Sequence, residues 1–309
     1  MSKLLAVVFA YSEVGHTCLK ELLRQGTSVQ AVFTHEDNPA ETLWFPSVAA
    51  LAREAGIPVF TPDSLGDEEH ALLLSLRPDV IFSFYYRSMI PERFLAIPPK
   101  GAFNMHGSLL PKYRGRACVN WAVLNGETVT GATLHHMVRR ADAGDIVDRE
   151  AVPILPDDTA LDVSRKVAEA AGIILERTLP SIALGAAPRT PQNEGEATYF
   201  GRRTPADGVI DWAESAVRIH NLVRAVTRPF PGAFTFLRGK KLFIWKTQTG
   251  EHPSFDTPPG TVLSEDPLRI FTGRGVLRLL EWQFEDSRAQ SPGAGDILGK
   301  EPEGETRPS

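Results

Sequence analysis

The sequence predicts an α/β protein: a Rossmann-like, mostly parallel sheet forming a catalytic domain, followed by a small OB-like β-barrel domain. Three observations carry this. In the first half short apolar runs alternate with helical patterns, the signature of a parallel sheet wrapped by helices. Near residue 190 the chain turns polar. Beyond that point strand candidates follow one another with tight turns such as Arg238-Gly239, which suggests an antiparallel barrel.

Each element has its own justification. Leu4 to Ala10, Val29 to Thr34 and Val80 to Phe84 read as buried strands, being continuous and rich in Val, Ile and Phe. Glu13 to Gln25 and Ser47 to Ala55 carry Leu, Val and Ala at helical spacing, and each is stopped by a glycine, Gly26 and Gly56. A long amphipathic helix is expected over about Ala160 to Leu184, behind the acidic pair Asp157 and Asp158, which suits the positive end of a helix dipole. Pro188 to Thr198, rich in Pro, Gln, Asn, Glu and Gly, reads as a linker. After it come a helix over Ala216 to Val226 and strands over Ala233 to Leu237, Lys241 to Lys246, Leu268 to Thr272 and Val276 to Phe284. The expected organisation is a catalytic domain over 1–187, a linker over 188–203, an OB-like domain over 204–290 and a disordered tail over 291–309. Glu301 to Ser309, made largely of Pro, Glu and Gly, prompts the last of these.

Composition narrows the function. The 309 residues suffice for two cores, and 42% hydrophobic with 23% charged residues is a globular balance. Leu4 to Ala10 is too short for a signal peptide core, and nowhere do about 18 apolar residues run together. No membrane insertion and a cytoplasmic location are therefore expected. A net charge of -5 without a long basic run disfavours nucleic acid as the main partner. Cys18 and Cys118 are too few and too far apart for a disulfide framework or a metal site, so no metal is expected. The turn Ala10-Tyr11-Ser12-Glu13-Val14-Gly15 has one glycine where a dinucleotide loop needs three, which argues against a nicotinamide enzyme.

The chemistry concentrates in Gly101 to Arg116. Ala102 to Met105 reads as a short strand, so Asn104 and His106 would lie at a strand's C-terminal end, where open α/β sheets place ligands. Two residues apart on an extended chain, their side chains face the same side. An amide donor and an imidazole can then converge on one carbonyl group: the amide to hold an oxyanion, the imidazole to handle protons. Asp142, in Arg139-Arg140-Ala-Asp-Ala-Gly144, is the candidate to orient the imidazole and raise its pKa. A lone Asn-x-His would more often be a hydrogen-bonded loop. His135-His136 is tempting as a metal pair, but neighbours on a strand point to opposite faces, so packing is the expectation. Lys112, Arg114 and Arg116 would ordinarily form a solvated face, yet arginines in this loop could fork onto a diphosphate. Tyr86, after a buried strand, is read either as packing or as lining a ligand.

The stretch HGSLLPKYRGR, followed by Asn120-Trp121 and then HHMVRRADAGDIV, resembles the formyltransferase family that includes methionyl-tRNA formyltransferase and sugar-nucleotide formyltransferases. The likeness extends from the Phe9-Ala10-Tyr11 turn through Phe33-Thr34-His35, the Phe82 to Arg87 run and the Phe200 to Pro205 run to Pro229-Phe-Pro-Gly232. It is closest to the UDP-4-amino-4-deoxy-L-arabinose formyltransferase domain of polymyxin-resistance lipid A modification. Ser88 and Cys118 depart from the bulkier residues or proline expected in close relatives.

The resemblance implies an enzyme that moves a formyl group from 10-formyltetrahydrofolate onto an amine of an amino-sugar nucleotide. It puts the oxyanion asparagine at Asn104, the proton-handling histidine at His106 and the pKa-raising aspartate at Asp142. The folate would lie between Ser88, Met89 and Ile90 and the segment Val138, Arg139, Arg140, Ala141 and Asp142. Arg116, Arg114 and Tyr86 are the candidates for binding the sugar nucleotide. Methionyl-tRNA formyltransferase is the alternative, with the same donor and a macromolecular acceptor. The oligomeric state stays open, as does whether a decarboxylating dehydrogenase domain, found in some relatives, belongs with this chain.

Overall fold

In the computed structural model, which describes residues 3–36, 44–250 and 257–299, the alternation of apolar runs and helices becomes a seven-stranded sheet. Strand β1 (Leu5–Ala10) leads into helix α1 (Ser12–Arg24), and β2 (Ser28–Phe33) is followed by α2 (Val48–Glu54) and the short β3 (Val59–Phe60). Next come α3 (Asp67–Leu76), β4 (Val80–Phe84), α4 (Glu92–Leu95) and β5 (Ala102–His106). These five strands run parallel in the order β3-β2-β1-β4-β5. Such a sheet is covered on both faces, so its inner strands can be apolar throughout. Accordingly every residue of β4 is buried, as is β1 from Ala6 onward. On α1 the buried residues Val14, Cys18, Leu19 and Leu22 recur one helical turn apart, forming the stripe that packs against other elements.

Beyond β5 the chain forms the two-residue β6 (Arg114–Gly115), α5 (Cys118–Leu124), β7 (Val129–His136), β8 (Ile146–Pro153) and α6 (Ala160–Ala183). Strands β7 and β8 extend the sheet past β5 in the antiparallel sense, pairing Asn104 with His135 and His106 with Thr133. That register decides the composition of the site.

The remaining elements are β9 (Tyr199–Phe200), α7 (Ala216–Val226), β10 (Ala233–Leu237), β11 (Lys240–Gly250), β12 (Val262–Glu265), β13 (Leu268–Phe271) and β14 (Val276–Phe284). The last five make an antiparallel sheet of order β10-β11-β14-β13-β12. β10 and β11 are joined by Arg238 and Gly239 at φ 51 and 72, the left-handed pair that a two-residue hairpin requires. Residues 297–299 bridge both edges, Gly299 to Phe236 of β10 and Ile297 to Thr261 beside β12, and give the sheet its barrel-like character.

Chain contacts divide the molecule into two compact units. One takes the chain up to Val119, Thr128–Ile154 and Asp162–Gly201; the other takes Asn120–Glu127, Leu155–Leu161 and the chain from Arg202 on. Two expectations need correction here. The expected linker over 188–203 is packed: β9 pairs with β6, and Thr190 exchanges two backbone bonds with Ile146. The expected disordered tail is ordered as far as residue 299, since Leu298 is buried and its neighbours close the sheet. Composition pointed to disorder because two apolar residues among Pro, Gly and Ser carry little weight until a sheet edge is there to receive them. Residues 300–309 lie outside the described residues. Among the described residues no helix is long and apolar enough to cross a membrane.

Candidate active site

Asn104 and His106 project from the same face of β5 at its C-terminal end. His106 is 6% exposed. Its Nε2 lies 2.8 Å from the Tyr113 carbonyl, which can only accept, so this nitrogen carries a hydrogen. Nδ1 is then the nitrogen whose protonation can change, and it faces Asp142 Oδ1 at 3.6 Å. The imidazole is oriented by the Tyr113 carbonyl, while Asp142 acts on its charge.

Asp142 is built into place by its loop. Its Oδ2 accepts the Gly115 N–H at 2.9 Å, and its φ of 56 is left-handed. Tyr85, Tyr113 and Ala117 around it share that sparsely populated conformation, a local cost that tertiary contacts must hold. Two residues on, Gly144 runs so close to β7 that a Cβ would collide with the His136 carbonyl. Gly107 is constrained likewise, its missing Cβ being the space filled by the Tyr85 hydroxyl and approached by Cys118 Sγ.

Burial works against the charge on both partners, and their mutual attraction outweighs it. The Asp142 carboxylate, Cys118 and the Tyr113 carbonyl raise the His106 pKa despite its burial. Burial likewise pushes the Asp142 carboxyl up, but His106 and the Gly115 N–H together hold it below the usual carboxylate range. A raised histidine contributes stability that is complete below the ordinary imidazole pKa of about 6.5 and lost as pH rises through the raised value. A lowered aspartate contributes above its ordinary value of about 3.9 and loses that contribution as pH falls through the lowered one. Asp142→Asn is therefore expected to move the His106 pKa down by roughly one unit or more, since a carboxylate partner is worth about 1 to 3 units. NMR titration of the imidazole measures it; an unmoved titration would show that Asp142 is not the cause.

His135 belongs to this cluster, against the expectation of packing. Its Nδ1 lies 2.8 Å from the His136 carbonyl and so bears hydrogen, which leaves Nε2 to accept from Asn104 Nδ2 at 3.1 Å. Nε2 is also 3.6 Å from Asp142 Oδ1. One Asn104 amide hydrogen is thereby engaged, and the other remains to donate to a ligand. His136 points the opposite way, toward Phe103 and the Pro188 carbonyl, as strand alternation requires. The signal that could have found His135 is its pairing with Asn104, which depends on a strand the sequence reading did not assign. Among the described residues no group of three or more His, Cys, Asp or Glu could hold a metal ion.

The other candidates divide. Met89 and Val138 are apolar yet 63% and 45% exposed, and Ser88, Arg139, Arg140 and Ala141 are exposed beside them in sequence. Ile90 instead packs in the core with Phe9, Phe33 and Phe94, so only its backbone is free to meet a ligand. Tyr86 is half-buried, stacked on His35 with ring centroids 4.3 Å apart. Arg116 is exposed, its guanidinium donating to the Arg87 carbonyl at 3.3 Å. Arg114 is a correction: it is fully buried, and all of its guanidinium nitrogens donate within the protein, to Gln192, Glu194 and the Tyr199 hydroxyl. No donor is left for a phosphate. Arg114 was read as available to a phosphate because nothing local to it shows that residues 192–199 fold back over it.

An amide donor and a charge-poised imidazole at the end of one strand are chemically able to serve the transfer of a small carbonyl-bearing group. Family comparison agrees and is specific. Residues 2–179 match the formyl transferase model and residues 202–294 match the formyl transferase C-terminal domain, so the chain belongs to the formyl transferase family. Among solved structures it is similar to WlaRD, a sugar 3N-formyl transferase crystallised with dTDP and 5-N-formyl-THF. The TM-score is 0.67 at 19% identity, covering 93% of this chain and 99% of that one. An N-formyltransferase from Helicobacter canadensis, in complex with folinic acid and dTDP-3-aminofucose, gives 0.69 at 22% identity over 90% and 99%. Phosphoribosylglycinamide formyltransferase from Anaplasma phagocytophilum gives 0.52 at 24% identity, covering 65% of this chain and all of that one.

Proposed function

We propose that this enzyme transfers the formyl group of 10-formyltetrahydrofolate to an amine of an amino-sugar nucleotide, specifically the 4-amine of UDP-4-amino-4-deoxy-L-arabinose or a close analogue. A role in the lipid A modification behind polymyxin resistance would follow from that acceptor. The observation that carries the reading is the Asn104 amide, with one hydrogen held by His135 and the other free, beside a buried imidazole raised by Asp142.

In this reading the acceptor amine attacks the formyl carbon, and Asn104 donates to the oxygen as negative charge grows there. Collapse of the adduct breaks the bond to the folate nitrogen. That nitrogen takes a proton from His106 at Nδ1, and the amine gives up one, so the imidazole ends as it began. The amine's proton passes to the imidazole that this donation leaves neutral, and Asp142 stabilises the imidazolium present before and after the exchange. The exposed Met89 and Val138 supply apolar surface for the folate rings, with backbone from the Ser88–Ile90 and Val138–Asp142 loops. Arg116 and Tyr86 are assigned to the sugar nucleotide. The complexes described for the two sugar N-formyltransferases, with a formylated folate and a dTDP nucleotide or dTDP-amino sugar, support this choice of donor and acceptor class.

The test is turnover with a formylfolate donor on UDP-4-amino-4-deoxy-L-arabinose, dTDP-amino sugars and methionyl-tRNA. The expected kcat/KM is highest on the UDP sugar. Preference for a dTDP sugar would overturn the named acceptor alone, and preference for the tRNA would overturn the acceptor class.

A further inference from the structure

The segment read as a linker reaches into the active-site loops through one side chain. Gln192 Nε2 donates to the Asp142 carbonyl at 2.8 Å and to the Gly144 carbonyl at 2.7 Å, so both amide hydrogens clasp the turn that carries Asp142. Its Oε1 accepts from Arg114 at 3.1 Å from Nε and 2.7 Å from Nη2. Arg114 is followed by Gly115, whose N–H holds Asp142 Oδ2. One side chain thus connects the loop presenting the carboxylate with the loop that grips it.

The clasp is anchored on both sides. Two residues before Gln192, Thr190 pairs with Ile146 at 2.8 and 3.0 Å; seven residues after it, Tyr199–Phe200 pairs with Arg114–Gly115. Such an anchor is what a left-handed aspartate needs, because its own backbone preference would relax it away. The catalytic distance at stake is 3.6 Å from Asp142 Oδ1 to His106 Nδ1, where a small displacement changes the interaction greatly.

We propose that Gln192 is a positioning residue of this enzyme, holding the Asp142 turn at the distance from which its carboxylate acts on His106. The catalytic part of this inference rests on the formyl-transfer reading. The titratable groups facing His106 are Asp142 and Cys118, with Tyr85 against Cys118 and His135 across Asp142. Gln192→Met adds no charge to that set.

The experiment compares the full-length parent with Gln192→Met, Asp142→Asn and the double variant, with Glu194→Gln as the control that perturbs Arg114 but not the clasp. Two readouts are taken: NMR titration of His106, and kcat and KM for formyl transfer from 10-formyltetrahydrofolate. In Gln192→Met the His106 pKa should fall by about a unit as the carboxylate drifts off. The kcat should drop roughly 10- to 100-fold, since a displacement of about 1 Å can cost that much, with KM held within about threefold. In the Asp142→Asn background the same substitution should add less than about twofold. Glu194→Gln, which also loosens Arg140 of the folate segment, should keep the parent's His106 titration. Losses that multiply in the double variant, or a parent-like His106 titration in Gln192→Met, overturn the proposal, the latter even if melting falls. Should Gln192→Met melt too early to titrate, Gln192→Glu, which keeps the acceptor for Arg114 and loses both donors, must show the kcat loss at steady KM; an unchanged kcat there overturns it. A parent that forms no formylated product while its His106 pKa depends on Gln192 sinks the functional reading and keeps the positioning role.

Discussion

His106→Ala is expected to reduce formyl transfer by about 10² to 10⁴, the usual worth of a positioned acid-base group, while leaving the affinity for formylfolate and acceptor within a few-fold of the parent. The size of the loss follows from the absence of a stand-in. His135 is the nearest imidazole of the cluster, but its Nδ1 is committed to the His136 carbonyl and its Nε2 to Asn104. Cys118 approaches the site, yet its thiol is buried and lacks the carboxylate that poises His106. The substitution also strands the Asp142 charge, so a lower melting temperature is expected beside the kinetic loss. Single-turnover rates with calorimetric binding separate the two effects. A variant that binds normally and retains more than a tenth of the parent rate would remove His106 from the mechanism.

Asn104→Ala is expected to cost about 10² to 10³ in kcat, or roughly 2.7 to 4 kcal/mol, the measured worth of one preorganised oxyanion donor. Here the preorganisation has a visible origin. The His135 tautomer is set by the His136 carbonyl, its free Nε2 draws one amide hydrogen, and the second hydrogen is left aimed by elimination. The interaction strengthens only as charge develops, so KM should change little. A variant whose KM rises while kcat stays would mean that Asn104 binds the ground state, and the oxyanion role would fall. His135→Ala should reproduce part of the kcat loss, since it frees the amide without removing it.

The layered fold was legible because its signals are local. An apolar run such as Val80 to Phe84 needs cover on both sides wherever it lies, and a glycine after a helical stripe stops the helix in any context. Asn104 and His106 were legible for the same reason: two residues on one strand share a face before any partner is known. Asp142 came from its motif, and the structure places it 3.6 Å from the imidazole.

What the chain alone determined, then, is the alternation that builds the sheet, the strand end bearing an amide and an imidazole, and the family. The tertiary structure decided which charges are free and which neighbours complete the site. Arg114 looked like a phosphate ligand until residues 192–199 consumed its donors. His135 looked like packing until the antiparallel register of β7 set it opposite Asn104. Ile297 and Leu298 looked like tail until two sheet edges met them. In each case the deciding partner lies far away along the chain. Local periodicity and propensity carry no information about which distant groups will meet, and burial of a charge is a property of the partners that cover it.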